Sequence, residues 1–220
     1  MIQEAFKISV DGHVLVSDRA TGEILIDKHN AIHPKNMATA IARGLSNAAN
    51  YQIFKMKLGN RGTYIDGTQQ IVFNPPITAG DDADLYNSTY VEVVDDGQMS
   101  VGVGNSVTFT NIPASTNTRV IVTCVISANE AFSNARDTDG GGQIVNVSGT
   151  QAGTPSAGPA GPNVGSPFFF DELGLFTQET AGTSLNGPGE LMLSHLIFSP
   201  IEHTGNRELV IVYTLTVSVS

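Results

Sequence analysis

Leu209-Val-Ile-Val-Tyr-Thr-Leu-Thr-Val-Ser-Val-Ser220 alternates two kinds of side chain with a period of two. Leu209, Ile211, Tyr213, Leu215, Val217 and Val219 share one face of an extended chain, the pattern of a β-strand resting on a core. The other face runs Val210, Val212, Thr214, Thr216, Ser218, Ser220. Valine giving way to threonine and serine predicts a strand that begins buried on both sides and ends with one side in water.

Working outward from this run, Leu191 to Phe198 and the pair Phe168-Phe-Phe170 and Leu173-Gly-Leu-Phe176 read as further core strands, with Pro200 to Arg207 as a hairpin loop. Val120 to Ser127 is apolar on both faces and predicts a strand central in its sheet, in which Cys124 is a buried structural residue. Met99 to Phe109 alternates, and Tyr90 to Val94, Ile53 to Leu58 and Ile71 to Phe73 are shorter strand candidates. Near the N-terminus, Phe6 to Ser17 reads as a hairpin turning at Asp11-Gly12, followed by a turn at Asp18 to Gly22 and a strand over Glu23 to Asp27. The one helical pattern lies in His33 to Ala49, where Met37, Ile41 and Leu45 recur every four residues and Pro34 suits the first turn.

The expected fold is therefore mainly β, a β-sandwich of jelly-roll-like character with one N-terminal α-helix covering a sheet or plugging an end. Residues 1–220 form a single β-rich domain interrupted at 137–167 by an extended loop or arm rich in Gly, Pro and Ala, too poor in large apolar residues to pack a core. Composition leaves open whether this stretch orders on a neighbouring subunit or stays a surface loop.

Charged residues make up 15% of the chain, against about 25% in ordinary globular proteins. The net charge of −10 offers no positive field for a phosphate backbone, so nucleic acid is not an expected direct partner. No apolar run approaches the roughly 20 residues that span a bilayer, and the start carries no signal-peptide pattern, so no membrane contact is expected.

Residue constellations for chemistry are sparse. His13, His29, His33, His195 and His203 show no recognised zinc spacing. Asp81, Asp82, Asp84 and Asn87 are weak calcium candidates, with Asp137 and Asp139 weaker still, and neither group follows the EF-hand loop. Gly102-Val-Gly104 lies inside an alternating pattern and opens no helix, and no nucleophile elbow, Walker loop or zincin motif is present. No catalytic residue, metal or cofactor is expected. Phe168 to Phe170, with Tyr51, Tyr64, Tyr86 and Tyr90 elsewhere, are candidates for a sugar-binding platform; without tryptophan the Phe run entering a strand reads better as core or subunit interface. Candidate interface residues are Gly153, Pro155, Pro159 and Pro162 of the arm, with Phe168, Phe169 and His195.

Asn30-Ala-Ile-His-Pro-Lys-Asn-Met37, Leu58-Gly-Asn-Arg-Gly-Thr63, Asp82 to Tyr90 with Val93-Val-Asp-Asp96, Asp171-Glu-Leu-Gly-Leu-Phe176, and Leu191 to Phe198 leading to Asn206-Arg207 and Val212-Tyr-Thr214 occur in this order. Together they make the chain similar to virion structural proteins of cyanophages and related marine phages with contractile tails. The stretch Ser148 to Pro167 is longer than the pattern of that family, a departure that bears on the local interface. The resemblance implies an oligomeric component of a tailed-phage virion, assembled in the bacterial host cytoplasm, in the tail, neck or baseplate. Its partners would be copies of itself and other virion proteins. Capsid decoration and host-glycan binding are the alternative readings.

Overall fold

The computed structural model describes residues 7–47, 51–94, 104–128, 142–144, 168–178 and 189–220. In chain order the elements are β1 (Ile8–Asp18), β2 (Ile24–His29), β3 (Ala31–Ile32), α1 (Pro34–Leu45), β4 (Ile53–Gly59), β5 (Thr63–Ile65), β6 (Ile71–Phe73), β7 (Ser88–Val93), β8 (Ser106–Asn111), β9 (Asn117–Ile126), β10 (Gly142–Ile144), β11 (Phe168–Thr177), β12 (Met192–His203) and β13 (Leu209–Val219). A five-stranded sheet runs β2-β1-β13-β9-β8 and a six-stranded sheet runs β10-β7-β4-β11-β12-β3. The fold is mainly β with α1 as the helix among the described residues, and every pairing described is antiparallel.

The two sheets close over one apolar core, giving a sandwich. Val14, Val16, Val122, Cys124, Ile211 and Tyr213 come from the five-stranded sheet, and Met56, Leu58, Leu173, Leu175, Leu193 and Phe198 from the six-stranded one. The C-terminal run lies at the centre, as β13 pairs with β1 on one side and β9 on the other. Its Leu209, Ile211, Tyr213 and Leu215 are buried as the alternation requires. Val210 and Val212 on the other face are only half-buried, because no second layer among the described residues covers that side of the sheet.

Two expected hairpins are not hairpins. Asp11 and Gly12 lie in the middle of β1, opposite Thr216 and Leu215, so the chain runs straight through where a hairpin was expected. Gly12 is needed for close approach: a Cβ there would collide with the Asn30 amide, which donates to the Tyr213 hydroxyl. Pro200 to Arg207 is not a hairpin loop either. β12 continues to His203, paired with Phe168 of β11, and β12 and β13 belong to different sheets, so Thr204 to Glu208 is a crossover between layers. Arg207 pins this crossover by donating from Nε to Asp18 Oδ2 at 3.0 Å and from Nη1 to the Glu202 carbonyl at 3.0 Å.

The turn at Asp18 to Gly22 is present, with Asp18 Oδ1 accepting the Ala20 and Thr21 N–H groups. α1 ends at Leu45, earlier than the expected Ala49. His33 caps its start: Nδ1 accepts the Asn36 N–H at 3.2 Å, and Pro34 takes the first turn, where a missing N–H costs nothing. The Asn36 side chain then ties the helix to the Met192 carbonyl of β12 at 3.0 Å.

Candidate functional site

The centre of the six-stranded sheet, β7, β4, β11 and the first half of β12, is buried on both faces, and its outer face is polar. In β4, Met56 and Leu58 point to the core and Lys55 and Lys57 point away from it; in β11, Leu173 and Leu175 alternate in the same way with Glu172. The cross-strand register sets Glu172 beside Gly59, and Gly174 between Lys57 and His195. Ordinarily such a face meets water. Here the segment from Pro75 to Asn87 lies over it, with Leu85, Ile77 and Ala83 packed around Phe176 and Met192, and the polar groups are sealed beneath.

Every oxygen of Glu172 is used. Oε1 accepts the N–H groups of Asn87 (2.9 Å) and Arg61 (3.2 Å), and Oε2 accepts that of Tyr86 (2.9 Å). His195 Nε2 lies 3.1 Å from Oε2, while its Nδ1 accepts the Ile77 N–H at 2.9 Å. An imidazole that accepts at Nδ1 carries its proton on Nε2, so His195 donates to Glu172 and has no nitrogen left to take a proton from a substrate. The neighbouring Asp171 serves a second turn, with Oδ1 accepting from Gly62 N (2.8 Å) and Oδ2 from Thr63 N (2.9 Å) and Thr63 Oγ1 (2.6 Å). Burial nevertheless pushes its carboxyl up to about 6. Asp171 reaches this turn because β11 slips register there: Phe170 pairs with Ile201 and Glu172 with Ile197, and Pro200, which has no N–H to donate, falls in the gap.

Lys55 and Lys57 are wholly buried. Glu190 bridges both ammonium groups, Lys57 also donates to Asp84 at 2.9 and 3.1 Å, and its Nζ lies 4.3 Å from the centre of the Phe176 ring. Buried charges persist only when paired in this way.

The calcium candidates do not converge. Asp81 pairs with Lys35 on the surface, and that partner holds its carboxyl below the ordinary range. Asp84 faces Lys57, Asn87 donates to Asn60 Oδ1 at 2.5 Å, and Asp82 is exposed. Among the described residues no group of three or more His, Cys, Asp or Glu side chains could hold a metal ion. Asp137 and Asp139 lie outside the described residues.

Gly153, Pro155, Pro159 and Pro162 also lie outside the described residues. Phe168 opens β11 opposite His203, Phe169 is half-buried, and Phe170 is part of the core. His195, expected at an interface, is wholly buried within its own chain and has no surface to offer a partner. The four tyrosines do not form a platform. Tyr90 is in the core with its hydroxyl donating to Glu92 at 2.5 Å, Tyr51 lies beneath Arg43, and Tyr86 donates to the Pro75 carbonyl at 2.8 Å. His33 is the helix cap already described. His13 and His29 sit side by side on the exposed face of β1 and β2, each beside an aspartate, Asp27 and Asp11.

Two apolar features were not expected from sequence. β5 and β6 form a two-stranded hairpin on which Tyr64 is 50%, Phe73 46%, Ile71 43% and Ile65 42% exposed. Between α1 and the first residues of β1 lies an open groove of about 540 Å³, lined by Ile8, Val10, Ile32, Met37, Ile41 and Leu45 among others. Leu45 at its rim is 85% exposed. The helical spacing of Met37, Ile41 and Leu45 was legible as core, and Met37 joins the core with Ile41 packed against it; what the spacing did not show is that Leu45, one turn further on, stands exposed.

No protein-family model, curated protein or solved structure matches this chain.

Proposed function

We propose that the chain is an oligomeric structural component of a tailed-phage virion, placed in the tail, neck or baseplate, with copies of itself and other virion proteins as partners. The observation that carries the reading is where the polar and apolar groups sit. Lys55, Lys57, Asp171, Glu172 and His195 of the six-stranded sheet are used up internally, while large apolar side chains stand exposed on the β5–β6 hairpin and around the groove. A surface of that kind favours contact with protein over chemistry on a small molecule.

The motifs behind the phage resemblance support the same reading, since they converge on one scaffold. Asp171 and Glu172 hold the Gly59 to Thr63 turn and the Tyr86–Asn87 segment, His195 holds Ile77, Asn36 holds β12 and Asn30 meets Tyr213. These residues set a shape and leave no group in position for acid–base or nucleophilic work. Catalysis, a cofactor and direct contact with nucleic acid are therefore outside the proposal, as is a membrane role; no described helix is long and apolar enough to cross a bilayer.

Immunogold labelling of purified particles with antibody to the chain tests this. Label on the tail, neck or baseplate supports it. Label spread over the head at hundreds of copies would move the protein to capsid decoration, and unlabelled particles would overturn the virion role.

A further inference from the structure

We infer that copies of this chain join head to tail, the β5–β6 hairpin of one copy seated in the groove between α1 and β1 of the next; this rests on the oligomeric reading above and gives it a contact. The groove is the stronger half of the argument. On a chain of net charge −10 no charged side chain lines it, and Ser9 is its one polar side chain. A contact made there sets no acid of one copy against an acid lining the groove of the other. The groove is concave, so two of them cannot fill each other. A convex apolar partner is required, and the hairpin supplies one.

The hairpin is built to be presented. At its tip Asp66 Oδ1 accepts from Thr68 N (2.8 Å), Thr68 Oγ1 (2.7 Å) and Gln70 N (3.0 Å), which locks the turn. At its base Asp171 holds Gly62 and Thr63, and Asn74 donates from its side chain to the Arg61 carbonyl and from its backbone to the Gly62 carbonyl, each at 2.8 Å. Ile65 stands opposite Ile71 and Phe73 opposite Thr63, so these four share one face. Thr63 is buried at the base against Asp171, Lys28 Nζ lies 5.5 Å from the Phe73 ring centre, and Ile65, Ile71 and Phe73 stay exposed. A stiff element carrying three large apolar side chains loses little entropy on docking. Knob and groove are different surfaces of one chain, so the contact is heterologous and propagates or closes into a ring.

Such a contact has a signature that a symmetric dimer lacks. Phe73→Asp spoils the knob and leaves the groove intact; Leu45→Asp does the reverse, and both side chains are exposed enough to spare the core. Sedimentation velocity on the full chain should show wild type above monomer and each variant alone as monomer, its self-association weakened roughly thirtyfold or more. An equimolar mixture should form dimers, since one good knob then meets one good groove. If Phe73→Asp proves unfolded by circular dichroism, Ile65→Asp takes its place. A mixture that stays monomeric while wild type assembles overturns the inference, as does a hairpin variant that assembles like wild type, or a wild type that is monomeric throughout. Particles labelled on the tail by a chain that stays monomeric would sink this contact and leave the virion role standing; dimers in the mixture with unlabelled particles would do the opposite.

Discussion

His195 donates from Nε2 to Glu172 Oε2 at 3.1 Å, and both side chains are wholly buried on the outer face of the six-stranded sheet. This pair joins strand to strand and, through Ile77, Tyr86, Asn87 and Arg61, binds the covering segment to the sheet. Histidine beside a carboxylate is a common catalytic arrangement, but here both ring nitrogens have partners, so the pair acts as a clamp.

Replacing Glu172 with Ala should therefore act on stability. It leaves three backbone N–H groups and the His195 ring without their acceptor in a buried layer, a loss of about 3–5 kcal/mol. Urea unfolding should show the lower midpoint, and hydrogen exchange at Ile77, Tyr86 and Asn87 should accelerate well beyond that of β13.

The lysine pair gives an ordered prediction. Glu190→Gln takes the shared negative charge from two buried ammonium groups and should cost about 3–5 kcal/mol. Lys57→Met leaves Glu190 paired with Lys55 and frees a half-exposed Asp84 to meet water, so it should cost less, about 1–2 kcal/mol. Denaturant midpoints of the two variants check the order.

Two buried groups give acid responses of opposite sign. Burial holds the His203 imidazole down to about 4 from 6.5, so the stability it contributes is complete above about pH 6.5 and is lost as pH falls through 4. Asp171, raised to about 6 from 3.8, contributes stability that is complete below 3.8 and is lost as pH rises through 6. Each amounts to about 3 kcal/mol and they offset one another between pH 4 and 6. Asp171→Asn removes the offset, so unfolding followed over this range should show it losing more stability than wild type as pH falls. His203→Gln should lose less.

Gly12→Ala puts a methyl group where the Asn30 amide lies and should cost about 1–3 kcal/mol, measurable as a drop in Tm. Asn30→Ser in the same chain should restore part of that loss. A glycine needed only for a turn would show no such coupling to Asn30.

β13 was legible because alternation over many residues has one reading, and β9 and the first part of β12 because their apolar runs are bounded by turn residues; the end of β12 was not, since Pro200 reads as a break. Asp11-Gly12 misled because a dipeptide that permits a turn also permits a strand, and the choice was made by β13, two hundred residues away in sequence. The polar layer was hidden for a similar reason. The alternation in Ile53-Phe-Lys-Met-Lys-Leu58 shows a strand and nothing of what lies over its lysines, which the irregular Pro75 to Asn87 segment helps to bury. β6 was legible as Ile71 to Phe73, but the three residues of β5 show no period, so the pairing of the two into an exposed hairpin emerged only with the structure. Of the expected interface residues, Phe168 and Phe169 enter the sheet and His195 is inside it.

As proposed above, the chain would be a building block of a phage particle, its polar groups holding shape and its exposed apolar surfaces serving assembly. A reconstruction of the particle by electron cryomicroscopy tests it most directly. The account predicts the two-sheet sandwich repeated around the tail, neck or baseplate, with Phe73 and Leu45 covered by protein. A particle lacking this fold, or one in which both residues face solvent, would contradict it.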